Sequence, residues 1–340
     1  MKKHLMCIVL MVINGILFAQ DWPMINQNPQ RTGYLTDEEI LLPPLQIDKL
    51  IDLNAIPSSM IVAEDVLFYM SEGDSIRLHA YALDTDQELW HFTLPEGGGS
   101  AGFVPAIFED LIYTGGQLGD ALYALDRFTG EIRWSREIGE LYNHSPIPDG
   151  EGKVYIITDS LFCLNAYDGT TIWSTTGNFS TPTLFGGDLF YGNSEQIISG
   201  DATSGETNWA RNQNVSCTQI LVNPSGIFAC NDTTVCSYYF DAYKNWCYSL
   251  PEGIQSLFFP GGNAILADSV LIFTALNKQE NVGVLLAINT NNGEKLWEYQ
   301  SNSRDFSNPA GANGIVYVSG GAPSVLKGFD IYDGTLRFED

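Results

Sequence analysis

Residues 122–134 read LYALDRFTGEIRW, and this stretch decides the fold. An apolar run is followed by Asp126, by Gly130 four residues later and by Trp134 eight residues later. The same spacing returns four more times, and two degenerate copies fill the gaps. The full copies are Asn165/Gly169/Trp173, Asp201/Gly205/Trp209, Asn289/Gly293/Trp297 and Asp330/Gly334/Phe338, and the degenerate copies run from Asp84 to Trp90 and from Asp241 to Trp246. Successive aromatic markers are 36 to 51 residues apart, so the chain is built from seven repeats.

Each repeat contains four short apolar runs bounded by Gly, Pro, Asp or Asn. In the second repeat these runs cover residues 103–107, 110–114, 121–125 and 131–134. A period near forty with four strands per period is typical of β-propeller blades. We therefore predict an all-β chain forming one β-propeller of four-stranded antiparallel blades, with seven blades and an eighth, degenerate blade as the alternative. Residues 45–53 could add an outer strand to the last blade.

The recurring turn residues have mechanical roles. A carboxylate or amide at the first position can accept bonds from backbone N–H groups, and the Gly can take the positive φ of a hairpin closed by a bulge. The aromatic residue is expected to pack against the adjacent blade. Prolines at 105, 146, 182 and 309 are expected at the start of first strands, where an unpaired edge tolerates Pro.

The N-terminal residues predict export. Lys2 and Lys3 precede an apolar run from Leu5 to Phe18, which is typical of a signal peptide covering residues 1–19. A leader at 20–44 and the propeller domain at 45–340 follow. Because no Cys stands at the predicted cleavage site, we expect a soluble periplasmic or extracellular protein rather than a lipid-anchored one. No transmembrane segment is predicted in the mature chain, and we expect a monomer.

The chain is strongly acidic, with 41 Asp and Glu against 16 Lys and Arg and a formal net charge of −25. Such a charge repels nucleic acid and anionic membrane surfaces, so a nucleic-acid partner is excluded.

Five cysteines follow the signal segment, and four of them lie in the fifth repeat. Cys230 and Cys236 flank residues 231–234, so a disulfide between them across a hairpin is a candidate. The odd count leaves at least one thiol unpaired. A zinc site from the clustered cysteines is disfavoured, because no C-x2-C spacing is present.

The repeats resemble the pyrroloquinoline quinone (PQQ)-type repeat, whose common form is l-y-A-l-D-x-x-t-G-x-x-x-W. The stretches 122–134, 286–297 and 199–209 carry the resemblance, and Asp21-Trp22-Pro23 with Arg31-Thr32-Gly33 is similar to the leader that precedes such propellers. For quinoprotein dehydrogenases the resemblance implies eight blades, an adjacent Cys-Cys pair over the quinone, a calcium site and an aspartate base. The family with this repeat also includes non-catalytic propellers, such as the scaffold lipoprotein of outer-membrane β-barrel assembly, and these bind partners through loops.

No catalytic constellation and no metal site is assigned from the sequence. His79, His91 and His144 lack metal-ligand partners at i,i+4 and are interpreted as ordinary strand or loop residues. Ser145, Thr181 and Asn308 precede first-strand prolines and are the candidate ligand contacts at a channel mouth, with strand entry alone as the competing interpretation.

These observations favour a non-enzymatic exported propeller that binds a protein, peptide or envelope ligand and needs no cofactor. Two alternatives stay open. The first is a quinoprotein oxidoreductase that uses PQQ with calcium. The second is a carbohydrate-binding or carbohydrate-cleaving propeller.

Overall fold

The computed structural model describes residues 8–10, 24, 27–28, 33–35, 49–51, 53, 56–95, 103–116, 120–141, 144–212, 219–256, 264–304, 306–320 and 325–339. All regular elements in these ranges are β-strands, and none is a helix. The chain divides into two compact units. Unit 1 is Met1–Ile25 with Glu39–Ile172, and unit 2 is Asn26–Glu38 with Trp173–Asp340.

Unit 1 contains blades 1 and 2 and the first three strands of blade 3, and each of these blades is an antiparallel sheet of four strands that pair in chain order. The boundary with unit 2 falls inside the fourth strand of blade 3. Strands Ile8–Leu10 and Lys49–Ile51 form a separate antiparallel pair. Blade 1 has Ile56–Ala63, Val66–Glu72, Arg77–Ala82 and Gln87–Thr93; blade 2 has Ala106–Phe108, Leu111–Thr114, Ala121–Asp126 and Ile132–Glu137; blade 3 has Ile147–Pro148, Lys153–Ile157, Ser160–Asn165 and Thr171–Thr176.

Unit 2 contains blades 4 to 7. Blade 6 has a split first strand, because Ile254–Ser256 and Ala264–Ala267 both pair with Val270–Asn277. Blade 4 has Thr183–Phe185, Asp188–Gly192, Gln196–Asp201 and Thr207–Asn212; blade 5 has Gln219–Asn223, Gly226–Cys230, Thr234–Tyr238 and Lys244–Ser249; blade 6 continues with Val282–Asn289 and Lys295–Gln300; blade 7 has Ala310–Ala312, Ile315–Gly320, Val325–Asp330 and Leu336–Glu339.

The predicted all-β class with seven four-stranded antiparallel blades is confirmed. An eighth blade is absent from the described ranges, so that alternative is wrong for this part of the chain. The expectation that residues 45–53 add a strand to blade 7 is also wrong for the described strand of that segment. The extra strand of blade 7 is Tyr34–Leu35, which pairs in parallel with Ala310–Ala312, whereas Lys49–Ile51 pairs with Ile8–Leu10. Apart from residues 8–10, the predicted signal segment lies outside the described residues.

The strands differ in burial according to their place in a blade. Second and third strands are covered on both faces, as Val270–Asn277 shows with seven buried residues out of eight. Fourth strands are mostly exposed, as in Gln87–Thr93. The first strand has only two or three residues in blades 2, 3, 4 and 7, and each of the four predicted prolines immediately precedes one of these strands. The middle strands of each repeat are continuous apolar runs because both of their faces are buried. Burial of apolar side chains away from water stabilises the fold.

The third-to-fourth-strand turn has the predicted mechanics. In blade 2, Oδ1 of Asp126 accepts the backbone N–H groups of Phe128 and Thr129, each at 2.9 Å. Gly130 has φ 74°, and the pairing register shifts by one residue just before the turn. A single carboxylate oxygen thus satisfies two donors that the sheet leaves unpaired.

The repeated tryptophans join consecutive blades. Trp134 Nε1 donates to the Ala166 carbonyl at 2.9 Å, and an added Cβ on Gly169 would lie 2.6 Å from the Trp134 ring. We call this arrangement, in which an indole packs on a glycine of the next blade and donates to a carbonyl there, the indole latch. The same N–H donation, at 2.9 to 3.1 Å, is made by Trp90 to Arg127, Trp173 to Ala202, Trp209 to Phe240, Trp246 to Thr290 and Trp297 to Ile331. The latch gives the aromatic markers a structural role.

The Asp126 carboxylate predicts an acid-dependent part of the stability. The hydrogen bond from Arg133 is the largest cause that lowers the pKa of Asp126, and the two backbone N–H groups lower it further. A lowered pKa in the folded state stabilises the fold above the unfolded pKa of about 4, and this contribution is lost as the pH falls through the folded pKa. We expect Asp126→Asn to be less stable than the native chain at pH 7, with a difference that shrinks at pH 3.

Urea denaturation midpoints at the two pH values measure this difference. The Asn side chain keeps the turn, since Asn165 Oδ1 accepts the Tyr167 N–H at 2.8 Å in blade 3. In an Arg133→Gln background the substitution should have a much smaller effect. A difference between Asp126→Asn and the native chain that is the same at both pH values would contradict the assignment.

Candidate docking surface

The turn of the fifth repeat departs from the shared motif. The Tyr239 N–H donates to the Tyr243 carbonyl at 2.9 Å, which is the bond that the Asp126 N–H makes to residue 131 in blade 2. Tyr239 therefore stands where the five full copies of the motif have Asp or Asn, and Ala82 takes that position in the first repeat. Ala242, with φ 71°, takes the place of the glycine, and the turn is one residue shorter.

These replacements weaken the turn. The side-chain acceptor that caps two N–H groups elsewhere is absent at Tyr239, and an alanine at positive φ costs on the order of 1 kcal/mol. Residues that break a local rule without a structural gain are typical of functional sites. The fifth turn shares these departures with the turn of the first repeat, where Asp86 has φ 59°, and it differs from that turn in its exposed aromatic side chains.

Three aromatic side chains project from this turn, and we call Tyr239, Phe240 and Tyr243 the aromatic turn. They are 49%, 39% and 64% exposed. Large aromatic side chains are usually buried, and a cluster of them exposed on one short segment is typical of a protein interaction site.

The aromatic turn is held in place by unit 2. The Phe240 ring stacks on Phe185 with centroids 5.5 Å apart and planes 12° apart. Phe240 also meets the buried Phe190 edge-on at 5.9 Å, and its carbonyl accepts the Trp209 indole N–H at 3.0 Å. Because the anchor is ordered before any partner arrives, binding would lose little conformational entropy.

The two tyrosines give the surface polar groups. The Arg211 guanidinium lies 5.3 Å from the Tyr243 ring centroid, and the Tyr239 hydroxyl donates to Asn245 Oδ1 at 2.9 Å. Tyrosine and arginine are residue types that are enriched at binding hot spots, and this surface has two tyrosines beside an arginine. The arrangement suits recognition of a polypeptide.

Other exposed tyrosines differ in having their hydroxyl bound to a carboxylate of the same unit. The Tyr332 hydroxyl donates to Asp268 Oδ2 at 2.7 Å, and this hydrogen bond, with burial, raises the pKa of Tyr332 to about 12. The Tyr167 hydroxyl donates to Glu109 Oε2 at 3.1 Å. The hydroxyl groups of these tyrosines therefore form hydrogen bonds within their own unit.

The three sequence-predicted ligand contacts lie in different settings. Ser145, in unit 1, is 2% exposed, and its Oγ accepts the Val104 N–H at 3.2 Å. Thr181, in unit 2, is 4% exposed. Asn308 is exposed, and its carbonyl accepts a hydrogen bond from the Ser307 hydroxyl at 3.1 Å. Ser145 thus has the strand-entry contact of the competing interpretation, and ligand contact by any of the three stays a prediction.

The predicted disulfide is wrong. Cys236 is bonded to Cys247, and Cys230 is a buried free cysteine. The register explains the pairing, because Cys236 stands directly opposite Cys247 on the fourth strand, while Cys230 stands opposite Val235. Neighbouring residues of a strand point to opposite faces, so Cys230 and Cys236 cannot meet. Cys217 lies outside the described residues.

The residues present do not fit a quinone site of the dehydrogenase type. The resemblance implies two adjacent cysteines, but Cys236 is joined to a partner 11 residues away on another strand, and Cys163 is buried in blade 3. Within the described ranges, His79, Glu88 and His91 are the one group whose donors lie close enough to hold a metal ion. Two of its donors are imidazoles, whereas calcium takes oxygen ligands.

Sequence reasoning missed the aromatic turn, although the signal was present. The fifth repeat is a degenerate copy, and its erosion is confined to the positions that build the turn. Reading which residues replaced the motif, in addition to noting its loss, would have singled out Tyr239 and Tyr243.

A known protein family matches the repeats of this chain. A family model described as outer membrane protein assembly factor BamB matches the chain over residues 74–160 and again over 144–238. The repeats are of the PQQ type. The matched residues run from blade 1 into blade 5 and end one residue before the aromatic turn.

Curated relatives match the same kind of protein over a shorter stretch. BamB of Yersinia pestis is 27% identical over 140 residues, and BamB of Escherichia coli (strain K12) is 26% identical over 140 residues. Each alignment covers 37% of this chain and 35% of the relative, so this chain matches about a third of their length.

Solved structures share the fold over most of the chain. BamB from Moraxella catarrhalis has a TM-score of 0.65 at 18% identity, covering 84% of this chain and 87% of that one. A europium-containing methanol dehydrogenase has a TM-score of 0.71 at 12% identity, covering 94% and 85%. At these identities the similarity shows the fold alone. Among the described residues, none belongs to a helix that is long and apolar enough to cross a membrane.

Proposed function

We propose that this chain is an exported, non-enzymatic β-propeller of the cell envelope that binds a protein partner and contributes to outer membrane protein assembly. The observation that carries the proposal is the aromatic turn, an exposed and preordered cluster on PQQ-type repeats. The matches to proteins named as outer membrane protein assembly factors support the setting.

Tyr243 is 64% exposed and is held under a guanidinium, while Phe240 is fixed by stacking, so together they present a rigid apolar surface with polar edges. Burying an exposed tyrosine of this kind contributes about 2 kcal/mol or more at an interface hot spot. The net charge of −25 disfavours anionic partners, so the partner surface should be neutral or basic.

We propose further that the chain acts without PQQ, because no pair of cysteines in the described residues meets the requirement for the quinone site. Addition of PQQ with Ca²⁺ to the purified chain should produce no stoichiometric quinone absorbance and no dye reduction with alcohols or aldoses. Turnover in this assay would overturn the non-enzymatic proposal.

Replacing Tyr243 by serine should abolish function in the envelope while leaving the fold intact. The side chain is mostly exposed, so the change in unfolding free energy should stay within about 0.5 kcal/mol. In the source organism, a deletion strain complemented with the native chain should recover outer-membrane β-barrel protein levels, and Tyr243→Ser should not. Quantitative proteomics of the outer-membrane fraction measures the recovery.

Phe128→Ser is the matched control, because Phe128 is 55% exposed and also lies beside a guanidinium, that of Arg127 at 4.6 Å. This variant should complement like the native chain. A photoreactive residue at position 243 should give a discrete cross-linked protein that position 128 does not give. Equal complementation by both variants, with identical cross-linking, would exclude the aromatic turn as the docking surface. If deletion leaves the outer-membrane proteins unchanged, the assembly role itself is wrong.

A further inference from the structure

Two histidines and a glutamate meet on one face of blade 1. His79 on the third strand stands directly opposite His91 on the fourth strand, and a bulge shifts the register before Glu88. The shift places Glu88 opposite Tyr81, on the same face as the two imidazoles. The ring centroids of His79 and His91 are 5.8 Å apart, and one donor atom from each of the three residues lies within 4.8 Å of the others.

The inner member of this cluster, His79, has a ring nitrogen without a hydrogen bond. His79 is 7% exposed, and its Nδ1 has no hydrogen-bond partner. The nearest carboxylate oxygen, Glu88 Oε2, is 3.6 Å away, which is too long for a hydrogen bond. A buried polar atom without a close hydrogen bond is costly, so a ligand bound to this nitrogen would be favoured.

The imidazole is already oriented to receive that ligand. Its Nε2 is 2.8 Å from the Ser71 hydroxyl, and its ring stacks on Tyr69 with centroids 4.6 Å apart and planes 6° apart. Histidines that bind metals commonly hold the second nitrogen in a hydrogen bond, which sets the ring orientation. Ser71 and Tyr69 therefore act as positioning residues for His79.

We propose that His79, Glu88 and His91 form a zinc site, with His79 Nδ1, one Glu88 oxygen and one His91 nitrogen as ligands. Zinc bonds of about 2.0 to 2.2 Å in tetrahedral geometry place ligand atoms roughly 3.4 Å apart. The 3.6 Å between His79 Nδ1 and Glu88 Oε2 is close to this value. His91 Nδ1 now lies 2.6 Å from Glu88 Oε1, so a small rotation of this exposed side chain would open the third position.

The donor set selects the ion. Two imidazoles and one carboxylate suit zinc and related transition metals and are poor ligands for calcium or magnesium. Glu88 and His91 are exposed, so the fourth position is open to water. The site lies in blade 1, whose turn between the third and fourth strands contains no glycine, and zinc there would join these two strands.

Isothermal titration of the tag-free, chelator-treated full chain with ZnCl₂ tests the site, together with metal content by mass spectrometry. We expect one zinc per chain with a micromolar or tighter Kd, a raised Tm with zinc, and no response to CaCl₂. His91→Gln and Glu88→Gln should each weaken binding at least tenfold. Both residues are exposed, so these variants should fold, and far-UV circular dichroism with the metal-free Tm verifies this.

Two further variants separate a built site from adventitious binding. His144→Gln removes a histidine outside the cluster and should leave the Kd unchanged. Arg77 lies on the same strand face as His79 and repels a second cation, so Arg77→Gln should tighten binding several-fold. Substoichiometric zinc, or zinc binding that His91→Gln and Glu88→Gln leave unchanged, would overturn the proposal.

Discussion

Replacing Trp134 by alanine should lower the free energy of unfolding by about 3–5 kcal/mol, which is the range for removing a large buried aromatic side chain. Trp134 is 8% exposed and packs with Phe103, Tyr113 and Leu164 in the core cluster shared by blades 2 and 3. Its indole N–H also satisfies the Ala166 carbonyl, which would be left without that donor. Urea denaturation at pH 7 measures the loss as a shift of the midpoint with an unchanged m value.

Trp134→Phe separates the two parts of the effect. It retains most of the apolar surface and removes the hydrogen bond, so we expect a loss of about 1–2 kcal/mol. Leu89, which is 51% exposed on the fourth strand of blade 1, offers the surface control, and Leu89→Ala should change stability by less than about 0.5 kcal/mol. A Trp134→Ala loss no larger than that of Leu89→Ala would show that the indole latch does not hold the blades together.

Adding a methyl group at Gly169 should be the second most damaging change, at about 2–4 kcal/mol. The backbone has φ 69°, and a Cβ there would lie 2.6 Å from Cε3 of Trp134, inside the closest approach of real side chains. The expected loss in Gly169→Ala combines backbone strain of about 1 kcal/mol with overpacking of about 1–3 kcal/mol. Thermal and urea unfolding of the variant measure it.

The matched control is Gly150→Ala. Gly150 has φ 80° and nothing within 4 Å of an added Cβ, so this substitution reports the backbone strain alone. Combining Gly169→Ala with Trp134→Ala should recover most of the overpacking cost, because the cavity left by the indole accepts the methyl group. Strictly additive losses in the double variant would contradict contact between these two residues as the cause.

The repeat motif predicted the fold because the motif residues act locally and in series. Asp126 caps its own turn, Gly130 permits it, and Trp134 reaches the next blade at a fixed offset along the chain. Each of these contacts spans at most one repeat, so a linear pattern contains the information. The number of strands per blade, the prolines before first strands and the structural role of the tryptophans were predictable for the same reason.

The disulfide and the strand added to blade 7 were predicted wrongly because both depend on pairing register. Cys236 faces Cys247 and not Cys230 because a one-residue offset reverses the side of the sheet on which a side chain lies. Tyr34–Leu35 pairs with a strand that is more than 270 residues away in the chain. No local spacing specifies such a partner.

The candidate sites show the same division. The aromatic turn was visible as an eroded motif, but only coordinates show that Phe240 is anchored by Phe185 while Tyr243 remains exposed. The cluster of His79, Glu88 and His91 carries no i,i+4 signal, because its members face each other across two strands.

The sequence by itself determined the all-β class, the seven repeats, the turn chemistry and the acidic character of the chain, since each depends on residues near one another or on composition. The tertiary structure alone decided which cysteines pair, which strand completes blade 7 and which histidines share a face. The physical reason is that strand pairing aligns residues by hydrogen-bond register, and a shift of one position moves every side chain to the other face of the sheet. The residues of one strand do not show which register its partner strand takes.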